Sequence, residues 1–207
     1  EFDVLREYLS RGGSLFIAAM PDSRSDINLF LKDLGLEVRR GIVLDNYENY
    51  RSDRRFLRVQ RFANHEINRG MQNINTTFID PSTAVVRVVE KPPRHLNVTS
   101  LFYAGPRAWE ETGPATQPWP VPDPGEVRSS SEDPLPLAAV VSIGLKAPVA
   151  GKTEARIVVW GSASALHDYN MVLLGRTNYT NLEYILNHFR WLPGHEELIS
   201  IPPKRPG

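Results

Sequence analysis

The chain contains no cysteine. That removes disulfides, thiolate nucleophiles, iron–sulfur clusters and Cys-based zinc sites, and leaves only His and carboxylates for a transition metal. Nor does either charge predominate: 24 Lys+Arg stand against 24 Asp+Glu, a formal net charge of +0. The general attraction that non-specific nucleic-acid or anionic-membrane binding relies on is therefore missing, and nucleic acid is not an expected partner. Long apolar runs are absent as well. The longest, Leu135 to Leu145, is interrupted by Pro136 and Ser142 and falls well short of the ~20 residues of a membrane helix. Absence of cysteine fits either a cytosolic protein or an extracytoplasmic bacterial domain that avoids unwanted pairing.

Proline is the residue in excess, with 17 in 207 residues, about 8% against a usual ~5%. Eight of them lie between 106 and 136, at 106, 114, 118, 120, 122, 124, 134 and 136. So many fixed φ angles and missing N–H donors exclude a central strand or helix there and favour a stiff, polyproline-like excursion over the surface. A length of 207 residues against ~150 per domain then predicts a single domain over 1–207 carrying an insertion at 106–136. The opening spacing Phe2, Leu5, Leu9 is already helical, so the sequence reads as a piece of a longer chain.

Periodicity predicts a helix over residues 2–10, ended by Gly12-Gly13, followed by a doubly covered strand over 14–20. The loop Pro21 to Asp26 leads to a second helix on Ile27, Phe30, Leu31 and Leu34, stopped by Gly35. An extended, bent segment over 36–45 and a polar, solvent-facing run over 46–55 come next. Short strands are expected over 76–79 and 84–89, parted by the turn residues Asp80-Pro81-Ser82, with a further strand over 98–104. Segments 137–145 and 155–160 read as strands suited to a hairpin. The clearest helix carries Leu182, Ile185, Leu186 and Phe189 at i, i+3, i+4, i+7 and closes at Pro193-Gly194. Helices alternating with doubly buried strands predict an α/β sheet with helices on both faces, and the central strands suggest an added mixed or antiparallel section.

Three stretches in order resemble a known family. They are Glu1 to Met20 with the following Leu29-Phe-Leu-Lys-Asp-Leu-Gly-Leu36, then Ala155-Arg-Ile-Val-Val-Trp-Gly-Ser162, then Leu186-Asn-His-Phe-Arg-Trp-Leu-Pro-Gly-His-Glu-Glu-Leu-Ile-Ser-Ile-Pro-Pro-Lys204. Asn64-His-Glu-Ile-Asn-Arg-Gly-Met71 is similar to a further turn of the same family, with Glu66 where proline is common. The family is the GldG-like auxiliary component of gliding-motility-type ABC transport systems. The resemblance implies a flavodoxin-like, class I glutamine amidotransferase-like three-layer sandwich with a mainly parallel sheet. It also implies a non-catalytic, membrane-anchored protein on the extracytoplasmic face of a bacterial cell membrane, partnered by ABC permease and ATPase subunits. The missing cysteine agrees with the absence of an amidotransferase nucleophile. The proline-rich stretch departs from the family's compact pattern.

The residues offer several local sites. Gly161-Ser-Ala-Ser-Ala165 after a strand approximates a nucleophile elbow, with Ser162 or Ser164 as nucleophile and His167 and Asp168 nearby, but its last glycine is missing. The competing reading is a strand-end turn with helix-cap residues. Asp22-Ser23-Arg24-Ser25, between a strand and a helix start, is a candidate ligand crevice, or else a simple cap and turn. Tyr103, Trp109 and Trp119 border the proline-rich loop and form either a partner surface for protein or glycan, or anchors holding the loop to the sheet. The five histidines, at 65, 95, 167, 188 and 195, lack the spacing of a helical zinc site, and neither metal nor cofactor is expected. The leading expectation is a binding module acting by protein contact or ligand sensing. The alternatives are a serine hydrolase using Ser162 or Ser164 and a carbohydrate-binding module.

Overall fold

The computed structural model describes residues 2–21, 26–71, 78–167 and 181–200. The first half of the chain runs α1 (Asp3–Ser10), β1 (Ser14–Ala18), α2 (Ile27–Asp33), β2 (Leu36–Val38), β3 (Ile42–Leu44), β4 (Asn49–Tyr50), β5 (Asp53–Val59) and β6 (Arg61–Phe62). The second half runs β7 (Phe78–Pro81), β8 (Val86–Val88), β9 (Leu96–Tyr103), β10 (Trp109–Glu111), β11 (Pro136–Val149), β12 (Lys152–Trp160) and α3 (Asn181–Trp191). Single 3₁₀ turns occupy Glu66–Asn68, Ser164–Leu166 and Glu196–Ser200.

The main sheet has five strands in the order β1-β12-β11-β9-β6. Its one parallel pair is β1 with β12, from Ser14 opposite Arg156 to Ala18 opposite Trp160. The other three pairings are antiparallel. Three small antiparallel sheets, β10-β3, β2-β8 and β4-β5-β7, surround it. The expected flavodoxin-like, mainly parallel sheet is thus overturned: this is a mixed sheet flanked by small sheets. The physical reason lies in the turn between β11 and β12. Ala150 and Gly151 both take positive φ, 49° and 81°, the geometry of a tight hairpin turn. Strands so joined run antiparallel, while their burial on both faces produces the continuous apolar runs usually associated with parallel sheets.

Two cores lie on opposite faces. One gathers Leu9, Phe30, Leu31, Leu34, Leu36 and Val86 against Ala139, Val141, Ile157 and Val159. The covering layer is therefore α1, α2 and the β2-β8 pair. The other gathers Phe102, Val140, Val158 and Trp160 under Tyr184 and Ile185 of α3, with Val43, Leu57 and Val59 from the small sheets. Each Val, Ile or Leu so buried contributes about 1.5–3 kcal/mol relative to exposure.

Two further expectations are corrected. Helix α3 exists, but it turns a different face inward: Asn181, Tyr184, Ile185, Asn187, His188 and Trp191 are buried. Leu182, Leu186 and Phe189, expected in the core, are between 41% and 49% exposed. The sheet surface beneath carries Trp160 and a buried carboxyl, so the polar-aromatic face of the helix is the complementary one. Within the proline-rich stretch, β10 falls in the proline-free gap between Pro106 and Pro114 and pairs with β3. Its glutamates are buried. Glu110 is ion-paired with Arg39 and accepts the Gly41 N–H at 3.2 Å, which ties the stretch to the end of β2.

Gly161 marks the tightest backbone approach. Its N–H donates to the Leu137 carbonyl at 2.9 Å and its carbonyl accepts the Ala84 N–H at 2.8 Å. A Cβ there would meet the Ala84 carbonyl oxygen at 2.1 Å, and that atom belongs to rigid backbone. Gly161→Ala is expected to cost about 3 kcal/mol in urea unfolding, whereas Gly144→Ala, whose Cβ meets nothing within 4 Å, leaves the midpoint nearly unchanged.

Candidate functional site

The structure assembles a polar node beneath α3 that no local motif announces. At its centre is Asp80 of β7, fully buried. Its Oδ2 accepts the Trp160 indole N–H at 3.2 Å, while its Oδ1 has no hydrogen-bond partner. Burial pushes the Asp80 carboxyl up to about 7, against the opposing pull of the Trp160 indole and the Thr83 and Ser162 hydroxyls. His188 stacks on the Trp160 ring at 5.1 Å with an interplanar angle of 22°. Its Nδ1 lies 2.8 Å from the Tyr184 carbonyl and its Nε2 has no partner. Burial lowers His188 to about 4, so the ring is neutral at pH 7. The Tyr184 hydroxyl donates to Asn68 Oδ1 at 2.7 Å, and the Asn68 amide donates to the Ala63 and Leu101 carbonyls at 2.8 Å each.

This constellation contains an acid, a base and a hydroxyl, yet its members face protein rather than solvent. Ser162 is fully buried, and its Oγ accepts the Ala165 N–H at 3.2 Å, closing the turn after β12. Ser164 opens the following 3₁₀ turn with its Oγ 3.8 Å from Met20 Sδ. The cap-and-turn reading therefore describes Gly161 to Ala165. Asp168 lies outside the described residues, as do Asp22, Ser23, Arg24 and Ser25.

Among the described residues a cavity of about 140 Å³ near the carboxyl end of β1 is lined by Met20, Asp26, Lys32, Arg39 and Arg40 among others. Its polar equipment is largely committed to structure. Asn28 mimics a strand residue, donating to the Val38 carbonyl at 2.8 Å and accepting the Val38 N–H at 2.9 Å. Arg39 is paired with Glu110. Lys32 and Arg40 are exposed to solvent.

The three aromatic candidates do not form one surface. Trp109 is buried, 1% exposed, with its indole N–H directed to Glu111 Oε2 at 3.4 Å, so as a surface residue it is corrected to an anchor. Trp119 is half-buried under the Arg55 guanidinium, 5.4 Å from the ring centroid. Tyr103 is half-buried at the end of β9 and lines a shallow groove with Arg61, Phe62 and Glu132. A second acidic feature has no motif in the sequence. Asp45 is buried, its Oδ1 accepts the Tyr47 and Glu48 N–H groups at 2.7 and 2.9 Å, and burial together with Asp45 raises the Glu48 carboxyl. A signal for the node does exist in retrospect: Asn181, Tyr184, His188 and Trp191 fall at i, i+3, i+7 and i+10, a helical stripe as regular as the apolar one.

Neither a family model nor a curated protein matches the chain. Among solved structures it is similar to a chain titled "mmIFT52 N-terminal domain", with TM-score 0.61 and 21% sequence identity, covering 93% of this chain and 70% of that one. At that identity the likeness establishes the fold, and the fold is that of an IFT52 domain rather than a flavodoxin.

Protonation of the node has opposed signatures. The unfolded Asp80 carboxyl ionises near its ordinary value while the folded one stays protonated up to about 7, so stability falls as pH rises from about 4 to 7. The unfolded His188 gains its proton near 6.5 while the folded one stays neutral down to about 4, so stability falls as pH drops through that range. The two slopes offset each other. Asp80→Asn is expected to raise the melting temperature by about 5 °C at pH 8 and to leave it unchanged near pH 4. Between those values the variant shows the uncompensated His188 slope, rising with pH in calorimetry.

Proposed function

We propose that this chain is a non-catalytic binding domain of a GldG-like auxiliary protein, acting by contact with the permease and ATPase subunits of an ABC transport system at the extracytoplasmic face of a bacterial membrane. The observation that carries the non-catalytic part is the enclosure of Ser162, Asp80 and His188. Ser162, Asp80 and His188 are buried and used for turn closure, indole binding and helix anchoring, and the half-buried Ser164 has its Oγ 3.8 Å from Met20 Sδ. The assignment to the transport family is supported by the order of its sequence segments. Among the described residues no helix is long and apolar enough to cross a membrane, so anchoring is a property proposed for the parent chain.

Activity-based labelling tests this reading directly. A fluorophosphonate probe is expected to leave the native protein unlabelled, and stoichiometric labelling abolished by Ser162→Ala or Ser164→Ala would establish a hydrolase instead. Titration with oligosaccharides is expected to leave tryptophan fluorescence unchanged. Quenching lost in Trp119→Ala would favour the carbohydrate-binding alternative. Co-expression with permease and ATPase subunits is expected to yield a co-eluting complex.

A further inference from the structure

A buried carboxylate oxygen without a partner sits where the proline-rich stretch begins. Antiparallel pairing of β3 with β10 sets Leu44 opposite Trp109. Asp45, the residue after β3, is thereby brought beside the turn over 105–108, which the Ala108 N–H closes on the Gly105 carbonyl at 3.2 Å. Asp45 is 1% exposed. Its Oδ1 is engaged by the Tyr47 and Glu48 N–H groups at 2.7 and 2.9 Å, but its Oδ2 is wholly buried and accepts no hydrogen bond. That oxygen is aimed at Gly105, as is the carboxylate of the half-buried Glu48. A Cβ built on Gly105 would meet Asp45 Oδ2 at 2.5 Å and Glu48 Oε2 at 2.6 Å, so only glycine lets both oxygens come this close to the backbone.

Two carboxyl groups thus converge on one point, and the neighbouring cations are turned elsewhere. Arg61 is held on the Ser130 and Ser131 carbonyls, and the Arg107 guanidinium lies 3.4 Å over the Tyr47 ring. Arg58, Arg61 and Arg107 pull on Glu48 only at longer range, and burial together with the Asp45 charge outweighs them, raising the Glu48 carboxyl. Buried charge of this kind is costly unless compensated. The charge of two carboxylates is matched by one divalent cation, whereas a single shared proton would leave one charge over. Calcium takes oxygen ligands at ~2.3–2.6 Å in irregular sets, while magnesium demands ~2.0–2.1 Å in a near-ideal octahedron. Among the described residues no group of three or more His, Asp or Glu is placed to hold a metal. The remaining ligands of an ion at this point therefore fall to water and main-chain carbonyls, as calcium coordination allows.

We propose that Asp45 Oδ2 and Glu48 Oε2 are the carboxylate ligands of a calcium site beside Gly105. The ion joins the segment that follows β3 to the segment that follows β9. Its binding fixes the point at which the proline-rich stretch leaves the sheet.

The test begins with wild-type protein stripped by a chelator and titrated with calcium chloride. Calorimetry is expected to show one ion bound per chain, with magnesium at least about tenfold weaker. Calcium at about a hundred times its dissociation constant is expected to raise the melting temperature by about 5 °C. Glu48→Gln and Asp45→Asn are each expected to lose at least about tenfold in calcium affinity. The asparagine keeps an oxygen for the Tyr47 and Glu48 N–H groups, so the calcium-free melting temperature of Asp45→Asn is expected to be no lower than that of the wild type. No binding and no thermal shift up to ~10 mM calcium would overturn the proposal. So would equal affinity for magnesium, or wild-type calcium affinity in Glu48→Gln. A melting temperature indifferent to calcium that rises on acidification in the wild type but not in Glu48→Gln would replace the ion by a proton shared between the two carboxyls.

Discussion

The ladder between β11 and β12 is the constraint on which the other layers depend. It runs from Ala138 opposite Trp160 to Gly144 opposite Glu154 and closes in a two-residue turn at Ala150-Gly151. On one side of this hairpin β12 receives β1, and on the other β11 receives β9, so both halves of the sheet are referenced to a contact local in sequence. Local closure costs little chain entropy, and the remaining strands then join an existing template. The side chains on the two faces of the hairpin, Val140 and Val158 toward one core and Val141 and Val159 toward the other, decide which helices each face accepts.

Elements governed by local rules were legible in the residues. Helix α1, the start of β1, helix α2 and the β11-β12 hairpin follow from apolar spacing and from glycine at the stops. Strand direction was not, because a strand covered on both faces carries the same continuous apolar run whether its neighbour is parallel or antiparallel. The buried face of α3 differs from its apolar stripe for a related reason. Its Leu182-Leu186-Phe189 stripe obeys amphipathic spacing, but burial is decided by the opposing surface, and the surface under α3 presents Trp160 and Asp80. The polar node was hidden because its members are distant in sequence: Asn68, Asp80, Trp160 and His188 come from four separate elements. Asp80 itself resides in a tripeptide with strong turn chemistry.

The node also clarifies how a domain can keep reactive side-chain types without reactive chemistry. A neutral His and a carboxyl titrating near 7 are the properties expected of an acid–base pair. Here both contact one indole and both are sealed from solvent under α3. What distinguishes this arrangement from an active site is access: the same perturbed groups beside an open cavity would carry the opposite inference.

The attachment of the proline-rich stretch has a consequence for how it can vary. Proline lacks an N–H, so a proline-rich segment is short of donors and long on carbonyl acceptors. The protein supplies the donors as arginines: Arg54 reaches the Pro120 carbonyl at 3.1 Å, Arg61 reaches Ser130 and Ser131, and Arg128 reaches the Pro122 carbonyl at 3.0 Å. Each of these moorings grips backbone and ignores the side chain it passes. At Pro120, Pro122, Ser130 and Ser131 a different side chain would leave the grip intact, whereas Trp109, Glu110 and Trp119 hold the stretch through the side chains themselves.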